Sequence, residues 1–131
     1  MKILCIGESN LEITCQINSI IKEGDKLFLN ERIENGGGHG GNIAYLLGKW
    51  GIETYIASMV GSDDFANKIK KEYESIGVKT DYIETTYDKG TSITVSLINQ
   101  TTKNNTVFTL SNAVPLKKYS FVVEPNIIIS D

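Results

Sequence analysis

Hydrophobic and polar residues alternate along this chain with two periods, and the switches between them delimit its elements. Lys2–Ile6 is a short apolar run ended by Gly7, and residues 11–17 set Ile13, Cys15 and Ile17 against Glu12, Thr14 and Gln16. A period of two sends alternate side chains to opposite faces, so both segments predict strands. After a polar link through Lys22-Glu23-Gly24-Asp25, residues 26–33 alternate weakly and gather charge in their second half, which predicts an exposed edge strand or flap. Then come five glycines in six positions, Gly36-Gly37-Gly38-His39-Gly40-Gly41. Behind them Ile43, Ala44, Leu46, Leu47 and Trp50 recur at helical spacing, with Gly51 placed to stop the helix.

Glu53–Val60 predicts another strand, and Gly61-Ser62-Asp63-Asp64 a turn with an acidic cap for a second helix. In that helix Phe65, Ile69, Tyr73 and Ile76 form the apolar stripe and Gly77 the stop. Residues 78–83 predict a short strand. Residues 91–99 and 106–110, separated by a polar turn, predict the two arms of a hairpin. Pro115 and Pro125 bracket Tyr119, Phe121, Val122 and Val123, a stretch that reads equally as helix or strand. Ile127-Ile128-Ile129 has the continuous apolar character of a buried parallel strand. Strands alternating with helices predict an α/β sheet with crossovers, and the hairpin and flap an antiparallel appendage.

Composition narrows the classes. The 131 residues fit one compact domain, and 13 Lys+Arg against 16 Asp+Glu give a net charge of −3, without the basic footprint of a duplex-binding protein. No apolar run approaches the ~18 residues that span a bilayer. The polar cluster after Gly7 comes too early for a signal peptide, so the expectation is a cytoplasmic protein without a membrane or nucleic-acid partner. Cys5 and Cys15 make neither a disulfide framework nor a zinc site and read as small hydrophobes. An ending on three isoleucines suggests that chain is missing beyond Asp131.

The glycine loop opens a helix, whose first N–H groups and dipole suit anions or hydroxyl-rich ligands. Gly36, Gly38 and Gly41 satisfy G-x-G-x-x-G, with Asp63 about twenty residues on, so a Rossmann-type dinucleotide-binding module is one reading. The residues before the loop are polar for the buried first strand such a module needs. A Walker A loop is excluded because no Gly-Lys-Ser/Thr follows, and a merely flexible loop is the third reading. Asp63 and Asp64 read as a helix cap rather than a metal site.

A wider pattern surrounds the loop. Gly37-Gly38-His39-Gly40-Gly41-Asn42-Ile43-Ala44, six residues to Gly51, and nine more to Gly61 resemble the N-terminal signature of the ribokinase-like, or PfkB, carbohydrate kinase family. Gly7 to Ile13 resembles its first substrate loop, Val60-Gly61-Ser62-Asp63-Asp64-Phe65 its V-G-D-D box, Ile76-Gly77-Val78 its G-V step, and residues 91–112 its flanking β-hairpin. The resemblance covers essentially the whole chain. It implies an α/β, ribokinase-like fold: a partial central sheet flanked by helices, with a small β-lid from about residues 11–17, 26–33 and 91–110. It also implies that residues 1–131 are the N-terminal substrate-binding portion, with the ATP-binding and catalytic portion absent.

The family transfers the γ-phosphoryl of ATP, with Mg²⁺, to a hydroxyl of a sugar, sugar phosphate or nucleoside, and asks its protein mainly for positioning. By resemblance Asn42 would bond sugar hydroxyls while Gly37, Gly38 and Gly40 let the backbone close on the ring. Glu12 stands where the family usually has an Asp that accepts from two hydroxyls. A polar residue on the open face of a strand is the alternative for it. His39 stands where Lys is common, with a solvated loop histidine as its alternative. Thr94 and Ser96 match pocket-lining hairpin positions, against a solvent-facing strand side. The family's catalytic base closes a G-x-G-D motif, and none of Asp25, Asp63, Asp64, Asp81, Asp88 or Asp131 stands in one. The expectation is therefore a chain that binds neither ATP nor Mg²⁺ alone and has no kinase activity by itself. Its partners would be a sugar or nucleoside and, through the lid, a second copy. A non-catalytic sugar-binding domain is the remaining alternative.

Overall fold

A computed structural model describes residues 1–113 and 124–130. The chain runs β1 (Lys2–Ile6), β2 (Asn10–Ile17), β3 (Ile33–Gly37), α1 (His39–Lys49), β4 (Glu53–Val60), α2 (Asp64–Ser75), β5 (Lys79–Thr85), β6 (Ile93–Asn99), β7 (Asn105–Leu110) and β8 (Ile127–Ser130). The stretch around Tyr119, Phe121, Val122 and Val123 lies outside the described residues.

Two four-stranded sheets divide these strands. The central sheet has the order β5-β4-β1-β8 and is parallel throughout, while the order β3-β2-β6-β7 makes the smaller lid sheet. Ile3 and Cys5 of β1 and Ile56 and Val60 of β4 face Ala44 of α1 and Ala66, Ile69 and Tyr73 of α2 to form the core, which Leu11 joins from the lid. Each wholly buried Leu or Ile contributes about 1.5–3 kcal/mol from lost apolar exposure. Gly51 (φ +74°) and Gly77 (φ +79°) take the left-handed conformation that ends each helix.

Four expectations need correction. The lid is not wholly antiparallel: β3 and β7 pair antiparallel with their neighbours, but β2 and β6 run parallel. They are joined by the long β3-to-β5 crossover, which lets both run the same way, as a tight hairpin would not. The flap strand is Ile33–Gly37 rather than residues 26–33, because pairing with β2 begins at Ile33↔Thr14. α1 packs through Gly40, Gly41, Ala44 and Gly48, leaving Ile43, Leu46 and Trp50 exposed. Small residues let the helix approach the sheet closely; Tyr45 and Leu47 still pack partly against the core, while Ile43, Leu46 and Trp50 turn outward. Finally β8 is parallel but not buried: it is the sheet's edge, with Ile127 and Ile128 exposed.

Candidate functional site

The chain leaves the central sheet at Gly7, turns through Glu8 and Ser9, and enters the lid at Asn10. The turn is anchored at both ends: Gly7 N–H donates to the Ala57 carbonyl at 3.1 Å and Leu11 N–H to the Ser92 carbonyl at 2.9 Å. Asn10 is thereby held 5% exposed. Its Nδ2 donates to Thr94 Oγ1 at 3.0 Å, but its Oδ1 is buried without a hydrogen-bond donor. A buried amide oxygen left unmatched costs about 1–3 kcal/mol, so this oxygen is free to accept a donor that the chain itself does not supply.

Glu12, two residues along, projects from the same face of β2. Its register partners are Asn35 on β3 and Thr94 on β6, and Asn10 lies opposite Gly37. A Cβ on Gly37 would stand 2.6 Å from Asn10 Oδ1 and 2.9 Å from Glu12 Oε2. Two acceptors thus converge over one bare backbone position, and only glycine leaves the room. Asn10, Glu12, Gly37 and Thr94 form one polar patch, with Asn35 exposed beside it.

The other glycines answer a different need. Gly38 takes φ +87°, and a Cβ there would run into the Glu8 carbonyl; at Gly40 it would stand 2.7 Å from Gly7 Cα, and at Gly41 it would meet the Tyr73 hydroxyl. The start of α1 is pressed against the Gly7–Ser9 turn, and Gly41 N–H donates to the Glu8 carbonyl at 3.2 Å. The expected freedom to approach a ligand is at Gly38 and Gly40 already spent on the chain itself. His39 and Asn42 lie exposed on the first turn of α1, which has no side-chain cap and whose Gly41 N–H is taken by the Glu8 carbonyl. Ser96 is buried and donates to Asn105 Oδ1 at 2.8 Å, so the solvent-facing alternative fails and its hydroxyl serves the hairpin. The Thr94 hydroxyl is shared between Asn10 and Thr109.

The Rossmann-type reading is also corrected. The strand before the glycines is β3, an edge of the lid, not a buried first strand of the parallel sheet, so the geometry of a dinucleotide fingerprint is missing. Asp63 caps α2 by accepting from Ala66 N–H at 3.0 Å. Partial burial pushes its carboxyl up most strongly of any single influence, but donors from Thr91 and Ala66 together outweigh it and the net shift is downward. Both Asp63 oxygens accept hydrogen bonds, and among the described residues no three His, Cys, Asp or Glu side chains converge as a metal set. An open cleft of about 400 Å³ lies further along the lid, between Thr14 and Gln16 and the irregular segment with Phe28 and Arg32. It holds no unmatched buried group, so the Asn10 patch is the better candidate.

Sequence reasoning placed Glu12, Gly37 and Thr94 in this patch but missed two neighbours. Asn10 sits inside the Gly7 to Ile13 segment and was findable there; Asn35 is brought in only by strand register.

The sequence profile described as pfkB family carbohydrate kinase matches residues 1–127. The chain belongs to this family. Among pfkB relatives, it is 25% identical over 105 residues to a bifunctional ribokinase/ribose-5-phosphate isomerase A of Fructilactobacillus sanfranciscensis, covering 79% of this chain and 19% of that protein. It is 27% identical over 105 residues to a deoxyribokinase of Salmonella typhi, covering 80% of this chain and 34% of that protein. The chain thus spans about a third or less of these relatives. A ribokinase of Cryptococcus neoformans in complex with ADP superposes with a TM-score of 0.82 at 19% identity, over 98% of this chain and 41% of that one. An Arabidopsis thaliana ribokinase complexed with ribose and ATP gives 0.74 at 23%, over 86% and 36%. These likenesses show that the fold is ribokinase-like. No helix among the described residues is long and apolar enough to cross a membrane.

Proposed function

We propose that this chain holds the acceptor of an ATP-dependent kinase that phosphorylates a hydroxyl of a sugar or nucleoside. One observation carries the reading: the buried, unmatched Asn10 Oδ1 stands beside the Glu12 carboxylate over Gly37. Two adjacent acceptors call for two donors on the ligand. Vicinal hydroxyls supply them, whereas a phosphate group would bring negative charge against a carboxylate. Thr94 fixes the Asn10 amide so that its oxygen faces the ligand, and Asn35 offers both donor and acceptor on the far side of Glu12. Asn42 and His39, at the uncapped start of α1, would close on the same molecule, with Gly37, Gly38 and Gly40 shaping the loop beneath it. Ser96 supports the hairpin from within.

ATP with Mg²⁺ supplies the transferred group in this chemistry. The residues of this chain supply position: they bind the acceptor, orient its hydroxyl and shield it with the lid. The sequence contains no G-x-G-D base, so the 131 residues alone do not catalyse transfer. The lid is also the surface for a second copy. β7 is an edge strand exposed along its length, with Val107, Phe108 and Leu110 open to solvent.

The test is to assay the full-length protein with ATP and Mg²⁺ against pentoses, hexoses and nucleosides. At least one should become phosphorylated; a panel without any phosphorylated acceptor overturns the reading.

A further inference from the structure

The patch stands on β2 and β3, and both are held from behind by consecutive residues of α2. Gly36 N–H donates to Glu72 Oε2 at 2.7 Å, one residue before Gly37. The Tyr73 hydroxyl lies 2.8 Å from Ser9 Oγ, one residue before Asn10. Asn10 and Gly37 are themselves register partners, so neighbouring side chains of one helix pin the two members of one strand pair. Strand alternation puts Gly36 and Glu34 on the face opposite Glu12 and Asn35, where α2 packs. Lys68, one turn earlier on α2, pairs with Glu34.

Tyr73 does more than fill the core. It is 2% exposed, burial pushes its phenol up to about 12, and it therefore stays a neutral hydroxyl at any physiological pH. That hydroxyl bonds Ser9 and occupies the space beside Gly41, so the turn before Asn10 and the start of α1 both rest on it.

We propose that Glu72 and Tyr73 are positioning residues for the acceptor site, holding Gly37 and Asn10 in register so that the two acceptors converge on the ligand. The inference rests on the proposed acceptor-binding reading. Neither side chain touches the ligand; each fixes a backbone segment that does.

The test uses the full-length protein, with the phosphorylated acceptor from the panel and ATP varied separately. Tyr73→Phe removes the hydroxyl and Glu72→Ala removes the acceptor for Gly36, while Glu72→Gln keeps an oxygen that can accept. Tyr73→Phe and Glu72→Ala should each raise the acceptor KM about tenfold or more through misplacement, with the ATP KM within about twofold of wild type. Glu72→Gln should restore the acceptor KM. Unchanged acceptor KM in an active Glu72→Ala protein overturns the inference alone, as does Glu72→Gln being as impaired as Glu72→Ala, or an equal rise in both KM values. If Tyr73→Phe does not fold, the Glu72 pair decides. A wild type that phosphorylates no acceptor overturns the functional reading and this inference with it.

Discussion

The Asp63 carboxylate accepts twice from a single residue, Thr91: from its N–H at 2.8 Å and from its hydroxyl at 2.6 Å. Asp63 caps α2, and Thr91 stands two residues before β6, so this contact ties the helix to the strand entering the lid. Gly61 N–H donates in turn to Thr91 Oγ1 at 2.9 Å, closing the cluster.

Replacing Asp63 by Ala removes a cap and strips both Thr91 donors of their acceptor. The expected loss is about 1–3 kcal/mol, read from urea unfolding. The pH dependence has a definite sign. The folded-state pKa lies below the unfolded one, so the contribution is full above the usual carboxylate range and fades as pH falls through the lowered value. Wild type should therefore lose more stability than Asp63→Asn between roughly pH 6 and pH 3; parallel curves would show that the carboxylate charge is not engaged.

Gly40→Ala sets two effects against each other. Inside a helix the change is worth about 1 kcal/mol in its favour by propensity. Here the new methyl would stand 2.7 Å from Gly7 Cα, a backbone atom that cannot swing aside. Overpacking costs about 1–3 kcal/mol, so the variant should unfold at lower urea than wild type. A stabilised variant would mean that α1 does not press on the Gly7–Ser9 turn.

Cys5 and Cys15 are both free and buried, and burial pushes the Cys5 thiol up to about 11. Since the thiolate is the reactive form, a thiol reagent at mildly alkaline pH should modify neither residue in the native protein and both in urea. Rapid native labelling would contradict the packing around β1 and β2.

Much of the fold could be read from the sequence because local rules and tertiary packing agree. β4 and the Asp63 cap fall where alternation and capping chemistry put them, as do the left-handed glycines after each helix. The rest depended on partners. No local signal says that Gly40 and Gly41 serve a turn about thirty residues earlier in the chain, so their packing role looked like ligand clearance. The inward face of α1 is set in the same way, since Gly48, not Leu46, meets β5-side atoms such as the Val78 side chain. At the site, Glu12 and Thr94 followed from resemblance, but the unmatched oxygen of Asn10 is visible only once Gly37 lies opposite it and Thr94 has taken its amide nitrogen.

The central claim is that this oxygen belongs to a hydroxyl-binding site, and Asn10→Ala in the full-length protein tests it most directly. The variant loses one internal hydrogen bond, to Thr94, so unfolding should change by only about 1 kcal/mol. Its acceptor KM should rise roughly 30-fold or more, because a site built on hydroxyl hydrogen bonds loses one of its fixed partners. An unchanged acceptor KM beside a clear loss of stability would contradict the account and make Asn10 a structural residue.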